Sequence, residues 1–212
     1  GYIDGLVQTQ KRIYGNLIME DMLTPDIVSE MRKIYAGAMY EDCLFSYEKY
    51  FGQVLLAQWI TSMERQEILS LLSERYPCYL YTHKKTPSLP HIINRGTAAY
   101  RKESCYIFRC SKINLNITLR SIRTGIPLRA FEIMGSGGFL LTNYQTDFLD
   151  YFEPGVDFAY YDSYEDLLQK TEYYLTHEEE RQAVAKNGYE KVKKYHTYQN
   201  RFDAMLETMK IG

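Results

Sequence analysis

The chain has little of what would make it a disulfide-stapled, zinc-built or membrane-spanning protein. Only 4 of its 212 residues are cysteine, Cys43, Cys78, Cys105 and Cys110, and no two form a Cys-x-x-Cys pair. Neither they nor the 4 histidines, His83, His91, His177 and His196, fall at zinc-ligand spacing. A disulfide framework and a zinc module are excluded on that count, and free thiols in a reducing cytoplasm are expected. No stretch approaches the roughly 18 consecutive apolar residues of a membrane span, the longest candidate being the short run from Val54 to Ile60, and no basic-then-apolar leader opens the chain. Charge of one sign is missing as well: 25 Lys and Arg against 27 Asp and Glu leave a net charge of −2, which argues against a polybasic nucleic-acid binder. A Gly-x-Gly-x-x-Gly fingerprint and a Gly-Lys-Ser/Thr loop are both absent, against a dinucleotide dehydrogenase and a P-loop ATPase. No repeat or low-complexity segment occurs.

What is present is ordinary globular material, 45% hydrophobic and 25% charged, enough to bury a core in one or two domains. Aromatic content stands out, with 21 Tyr, 9 Phe and 1 Trp. Tyrosine covers half-polar surface, so these residues serve either a cleft or interface, or the core and rim of an aromatic-rich fold. The chain opens Gly1-Tyr2-Ile3 rather than with Met, as expected of a cloning or cleavage remnant and hence of a fragment.

From about Thr9 to Arg75 the pattern predicts helix throughout. Thr24-Pro25-Asp26 gives an N-cap and a proline at the first helical position, followed by Ile27, Met31, Ile34 and Met39 at helical spacing. A second long helix over Tyr47 to Ser73 is expected to bury Phe51, Leu55, Trp59 and Met63 and, after a slip, Ile68, Leu71 and Leu72. At Tyr76-Pro77 the texture changes. Cys78 to Thr82 reads as a buried strand, and further short strands are expected at His91–Asn94, Lys112–Thr118, Phe139–Thr142 and Asp157–Tyr161. Strand and helix alternate, as in a parallel α/β sheet. Capping boxes are expected at Ser163 to Asp166 and at Thr176 to Glu179, Asn187-Gly188 either kinks a helix or ends a turn, and a last helix begins near Thr197.

The charges are unevenly spread. From Ser104 through Phe131 there is no acidic residue but five cations, Arg109, Lys112, Arg120, Arg123 and Arg129, whereas Ile133 through Glu180 carries eleven carboxylates and Lys170 alone as a Lys or Arg. Such a positive stretch suits an anionic ligand such as a diphosphate, or is a solvated surface. It ends in Gly125-Ile126-Pro127-Leu128-Arg129-Ala130-Phe131-Glu132-Ile133-Met134-Gly135, where Pro127 suits the first turn of a helix to about Met134. Unpaired amides at that helix start, Gly125 and Ile126 included, are placed to bind phosphate. Arg129 can add a bidentate contact and Glu132 can accept from ribose hydroxyls; equally, Arg129 and Glu132 can simply pair with each other.

The segments Ser111 to Asn116, Gly125 to Gly135, Gly138 to Thr142, and His196-Thr197-Tyr198 with Arg201 resemble the C-terminal domain of CgeB-like spore-maturation glycosyltransferases, over about Cys78 to Leu206. The resemblance implies one half of a GT-B architecture, in which two Rossmann-like domains face each other and the C-terminal one binds a nucleotide-sugar donor. It places Glu132 on the donor ribose, and Arg129 and Lys112 toward the pyrophosphate, with a strand-edge role open for Lys112. Asn114 and Asn116 either order the cleft loop or are satisfied structural amides, and Gly96 lies where such a domain turns back toward the donor base. Relatives carry an earlier Glu eight positions before the ribose Glu, and here that position is Thr124, which argues against a retaining mechanism built on the pair. His196 is assigned to capping rather than catalysis.

The expectation is therefore an α/β, Rossmann-like donor-binding domain over residues 76–212, preceded by an all-α segment over residues 1–75, with the acceptor domain missing. Its ligand would be a nucleotide diphosphate sugar, bound with no obligatory metal, since the chain has no Asp-x-Asp pair. The rival is a non-catalytic assembly or polysaccharide- or protein-binding module on the same scaffold. An epimerase-like enzyme would need a glycine-rich fingerprint after the first strand, which Tyr81-Thr82-His83-Lys84 is not.

Overall fold

A computed structural model describes residues 1–35 and 45–209; Met39 and Cys43 lie outside the described residues. At the front, α1 (Tyr2–Lys11) and α2 (Pro25–Ile34) are joined by a loop rather than by continuous helix. Gln10 explains the break. Its buried side chain replaces the helical ladder, accepting from the Ile18 amide at 2.7 Å and donating to the carbonyls of Ile13 and Asn16 at 3.2 and 2.8 Å. Thr24 takes extended backbone just before Pro25, the predicted start of α2.

The long helix is present, as α3 (Tyr47–Lys49), a π-helical stretch (Tyr50–Leu56) and α4 (Ala57–Ser73), but its buried stripe differs from the predicted one. Phe51, Leu56, Ile60, Glu64, Ile68 and Leu72 face inward, and Trp59 is 44% exposed. The wider π turns make the step from Phe51 to Leu56 five residues, and every later inward position follows in steps of four. Correctly phased, the stripe contains a carboxylate, Glu64.

Two parallel sheets follow. β1 (Tyr79–Leu80) pairs with β2 (Ile93–Asn94), and β3 (Asn114–Asn116), β4 (Leu140–Asn143) and β5 (Ala159–Tyr161) lie side by side in chain order. The expected buried strand at Cys78–Thr82 is instead a short, half-exposed one: β1 pairs with β2 alone in a two-stranded sheet, and the exposed Tyr79 ring has the Arg95 guanidinium 5.2 Å from its centroid. The three-stranded sheet is packed on both faces. Leu140 joins Ala130, Ile133 and Met134 of α6 (Leu128–Gly135) and Val192 of α8 (Glu178–Tyr195). Phe139, Leu141, Ala159 and Tyr161 meet Ile68 and Leu72 of α4 and Leu167 and Tyr174 of α7 (Tyr164–Thr176). This alternation along β4 is what a sheet buried on both sides requires. The fold is thus α/β and Rossmann-like, with parallel strands flanked by helices. A third cluster joins α1 and α2 to Phe51, Leu56, Ala57 and Ile60, so α4 serves two cores with one stripe.

Ser163 caps α7 as expected, its hydroxyl accepting from the Asp166 amide at 3.1 Å. Thr176 does not cap α8: its hydroxyl donates to the Glu172 and Tyr173 carbonyls of its own helix, leaving His177 at the cap position. α8 runs unbroken through Asn187-Gly188, where a Cβ on Gly188 would lie 2.4 Å from the Asp157 carbonyl oxygen, so the glycine serves close helix–loop approach. Thr197 caps α9 (Tyr198–Met209) reciprocally with Asn200, and none of the α9 residues is buried. No helix among the described residues is long and apolar enough to cross a membrane.

The two halves are locked by Arg120, which follows β3. It grips Glu64 with two guanidinium nitrogens, Nε to Oε2 at 2.7 Å and the second through Nη2, with both side chains almost wholly buried. It also donates to the Ile13 carbonyl at 2.8 Å and lies over the Tyr14 ring, 3.9 Å from the centroid. Burial works against its charge, but the hydrogen bonds and charge of Glu64 outweigh that and hold its pKa above the ordinary guanidinium value. Burial and the Glu64 charge push the Tyr14 hydroxyl in the same direction, well above its ordinary value.

Arg120→Met leaves Glu64 buried without a counter-charge, and urea unfolding is expected to show a loss of about 3–5 kcal/mol. Glu64→Leu in the same chain should recover most of it, the Ile13 carbonyl still lacking its donor. Gly188→Ala drives a methyl into the Asp157 carbonyl and is expected to cost roughly 1–3 kcal/mol by the same measurement.

Candidate functional site

Strands β3, β4 and β5 all point the same way, so the loops after them form one edge, the edge at which open parallel sheets bind ligands. Polar side chains pin the loop after β3. Asn116 Nδ2 donates to the hydroxyls of Thr118 and Thr142 at 2.9 and 3.0 Å, and the Thr118 amide donates to Asn143 Oδ1 at 2.8 Å, which ties the loop to β4. From α4, Arg65 donates to the Ile117 carbonyl at 2.8 Å and Thr61 Oγ1 accepts from the Arg120 amide at 3.0 Å. The loop therefore leaves the sheet on a fixed course toward α6.

That course ends at Gly125, in the left-handed region at φ +87, and at Pro127, which sits one position before the helix rather than in its first turn. At the start of α6 the Ala130 amide donates to the Pro127 carbonyl at 2.9 Å, which leaves the Leu128 and Arg129 amides at the positive end of the helix dipole. The Gly125 amide is occupied: it donates to the carboxylate of Asp147, on the turn Thr146–Phe148 after β4. Arg129, half exposed, lies over the Phe108 ring of α5 (Ser104–Cys110) and pairs with Glu132 at 3.0 Å. The other oxygen of Glu132 accepts from the Tyr100 hydroxyl at 2.8 Å, reached from a loop 32 residues earlier. Arg101, next to that tyrosine, is a non-glycine residue at φ +64, the kind of backbone strain that gathers at functional sites.

The structure thus gathers Gly125, Ile126, Arg129 and Glu132 around the start of α6. Gly96, also left-handed at φ +75, opens the loop whose Tyr100 reaches Glu132. Lys112 precedes β3 and is exposed at the opposite edge of the sheet, away from this group. Asn114 is buried, donating to the carbonyls of Phe108 and Phe139, and Asn116 belongs to the threonine network above. Of the five cations in the acid-free stretch, Arg120 is withdrawn from any ligand by Glu64. Thr124 is exposed on the loop. His196 ends α8 among Phe131, Tyr151 and Phe152, and burial, with Arg201 and Lys191 nearby, lowers its pKa.

Sequence reasoning missed Asp147, Tyr100 and a shallow, solvent-open cleft on the same edge. Leu119, Ile122 and Arg123 after β3, Tyr144, Gln145 and Thr146 after β4, and Gly15 to Leu17 from the front loop line it. Only a glycine fits at Gly15, since a Cβ there would stand 2.7 Å from the Tyr144 ring. Gln145 Oε1 is buried in this wall without a hydrogen-bond partner. Among the described residues no group of three or more His, Cys, Asp or Glu is placed to hold a metal ion.

The molecule is thus a Rossmann-like α/β domain with a helix start and a clamped carboxylate at the C-terminal edge of its parallel sheet. The model of the glycosyl transferase-like family matches residues 59–207, from within α4 to within α9, more than two thirds of the chain, and the protein belongs to that family. No curated protein and no solved structure matches it.

Asn116→Leu keeps volume but strips Thr118 and Thr142 of their donor, and an unfolding titration is expected to show about 1–3 kcal/mol of lost stability.

Proposed function

We propose that the protein binds a nucleotide diphosphate sugar at the start of α6 and presents it for transfer to an acceptor. Family membership supports a role in glycosyl transfer, and the observation that carries the donor reading is the Tyr100–Glu132–Arg129 cluster beside Gly125. A carboxylate clamped on both oxygens by groups from two separate segments is held for a purpose that an ordinary surface pair, three residues apart on a helix, does not require. In this reading Glu132 accepts hydrogen bonds from ribose hydroxyls. Arg129 and the amides of Gly125, Ile126 and the first turn of α6 face the diphosphate.

The reaction breaks the bond between the anomeric carbon and a diphosphate oxygen and forms one to the oxygen of an acceptor hydroxyl, whose proton is released to solvent alongside the nucleoside diphosphate. The electron pair leaves with the diphosphate, so negative charge grows where Arg129 and the helix start stand, and they stabilise it without an obligatory metal. Asn116 supports the site by pinning the loop after β3, and Lys112, at the opposite edge of the sheet, takes no part in it. The narrower likeness to CgeB-like enzymes fits this reading, as does a cytoplasmic location for a protein whose Cys78, Cys105 and Cys110 are free thiols. In the two-domain arrangement that the resemblance implies, a facing domain would hold the acceptor.

Calorimetric titration with UDP, GDP and TDP tests the donor site. At least one is expected to bind, and Glu132→Ala and Arg129→Ala are each expected to weaken it about tenfold or more, some 1.4 kcal/mol. Binding that both substitutions leave unchanged overturns the assignment.

A further inference from the structure

The amide ahead of α6 is already satisfied by an anion from within the chain. Gly125, in a conformation that favours glycine, donates its N–H to Asp147 Oδ2 at 2.5 Å. The carboxylate forms no salt bridge among the described residues, so its charge is answered only by the Gly125 amide and the positive end of α6. The turn that carries it is fixed by Phe148, which is 1% exposed among Phe152, Phe158 and Ile133. The backbone of Asp147 is therefore held in place, and its side chain is the part free to rotate. The hydrogen bond it makes is exposed to solvent, so the carboxylate can turn away from the Gly125 amide into water.

We propose that Asp147 gates this site: its carboxylate takes the position of a phosphate oxygen, and a ligand enters by displacing it. The proposal rests on the donor reading above and adds a selecting residue to it. An anion that contacts only the Gly125 amide exchanges one charge-assisted hydrogen bond for another and meets the displaced carboxylate's repulsion, so it gains little. A ligand that also places ribose hydroxyls on Glu132 gains contacts that neither Asp147 nor a bare phosphate or pyrophosphate can supply. The gate thus discriminates against free phosphate and pyrophosphate, abundant small anions that would otherwise occupy the site, and in favour of a nucleoside diphosphate.

Titrating inorganic pyrophosphate and whichever of UDP, GDP and TDP binds into the wild type, Asp147→Asn and Asp147→Ala tests the gate. Both substitutions are expected to strengthen pyrophosphate binding fivefold or more and nucleoside diphosphate binding by a smaller factor. Asp147→Asn keeps an acceptor for the Gly125 amide without the charge, and it decides the matter should the alanine variant fail to fold. Affinities that stay within twofold, or fall, overturn the gate. If nucleotide binding still depends on Arg129 in that case, the donor reading stands alone. If neither anion binds the wild type or any variant, both readings fall.

Discussion

A carboxylate and a guanidinium, both stripped of water, meet between α4 and the loop after β3, and most of the architecture is arranged around satisfying them. Glu64 sits in an otherwise apolar stripe, where an unpaired charge would be ruinous. Arg120 answers it with two nitrogens and spends its remaining donor capacity on backbone carbonyls at the end of α1 and just beyond it, while its own amide is held by Thr61. One residue thus ties three parts of the chain together at the root of the C-terminal edge of the sheet. A second bridge at the periphery, Lys11 and Tyr164 converging on Glu67, joins α1, α4 and α7.

The consequence for the site is positional. The loop from Ile117 to Pro127 has no strand or helix of its own, yet Arg65, Thr61, Asn143 and Gln145 hold it at successive points. Its far end, Gly125, is thereby set against Asp147 on the neighbouring loop, and α6 starts at a fixed place relative to the sheet. The helical front is part of this construction: it supplies the α4 contacts beneath the loop and, through Gly15 to Leu17, one wall of the cleft. The family match begins at residue 59, inside α4, in keeping with that helix's packing on the sheet.

Much of this was legible in the sequence where a local rule decides. The proline-led start of α2, the Ser163 cap, the apolar strand at Phe139–Leu141 and the glycine-flanked α6 were read from short patterns that tertiary packing then kept. The failures have physical causes of their own. A π-helical stretch leaves no composition signal, so the stripe after Phe51 was phased one residue early and Glu64 was passed over; had Leu56, Ile60, Ile68 and Leu72 been aligned, the carboxylate among them would have shown. Arg120 looked like a ligand cation because sequence shows charge but not burial. Tyr100 and Asp147 were invisible for a different reason, as their partners lie 32 and 22 residues away, and no periodicity links them.

The same Arg120 linkage bears on how the chain assembles during synthesis. Glu64 is made 56 residues before Arg120, and the Ile13 carbonyl 107 residues before it. At about 5–20 residues per second, α4 would wait on the order of 3–10 s on the ribosome for the partner of its buried carboxylate. Through that interval Glu64 has no counter-charge to be buried against and stays in water, so its burial is completed only when Arg120 arrives and the loop after β3 closes onto α4.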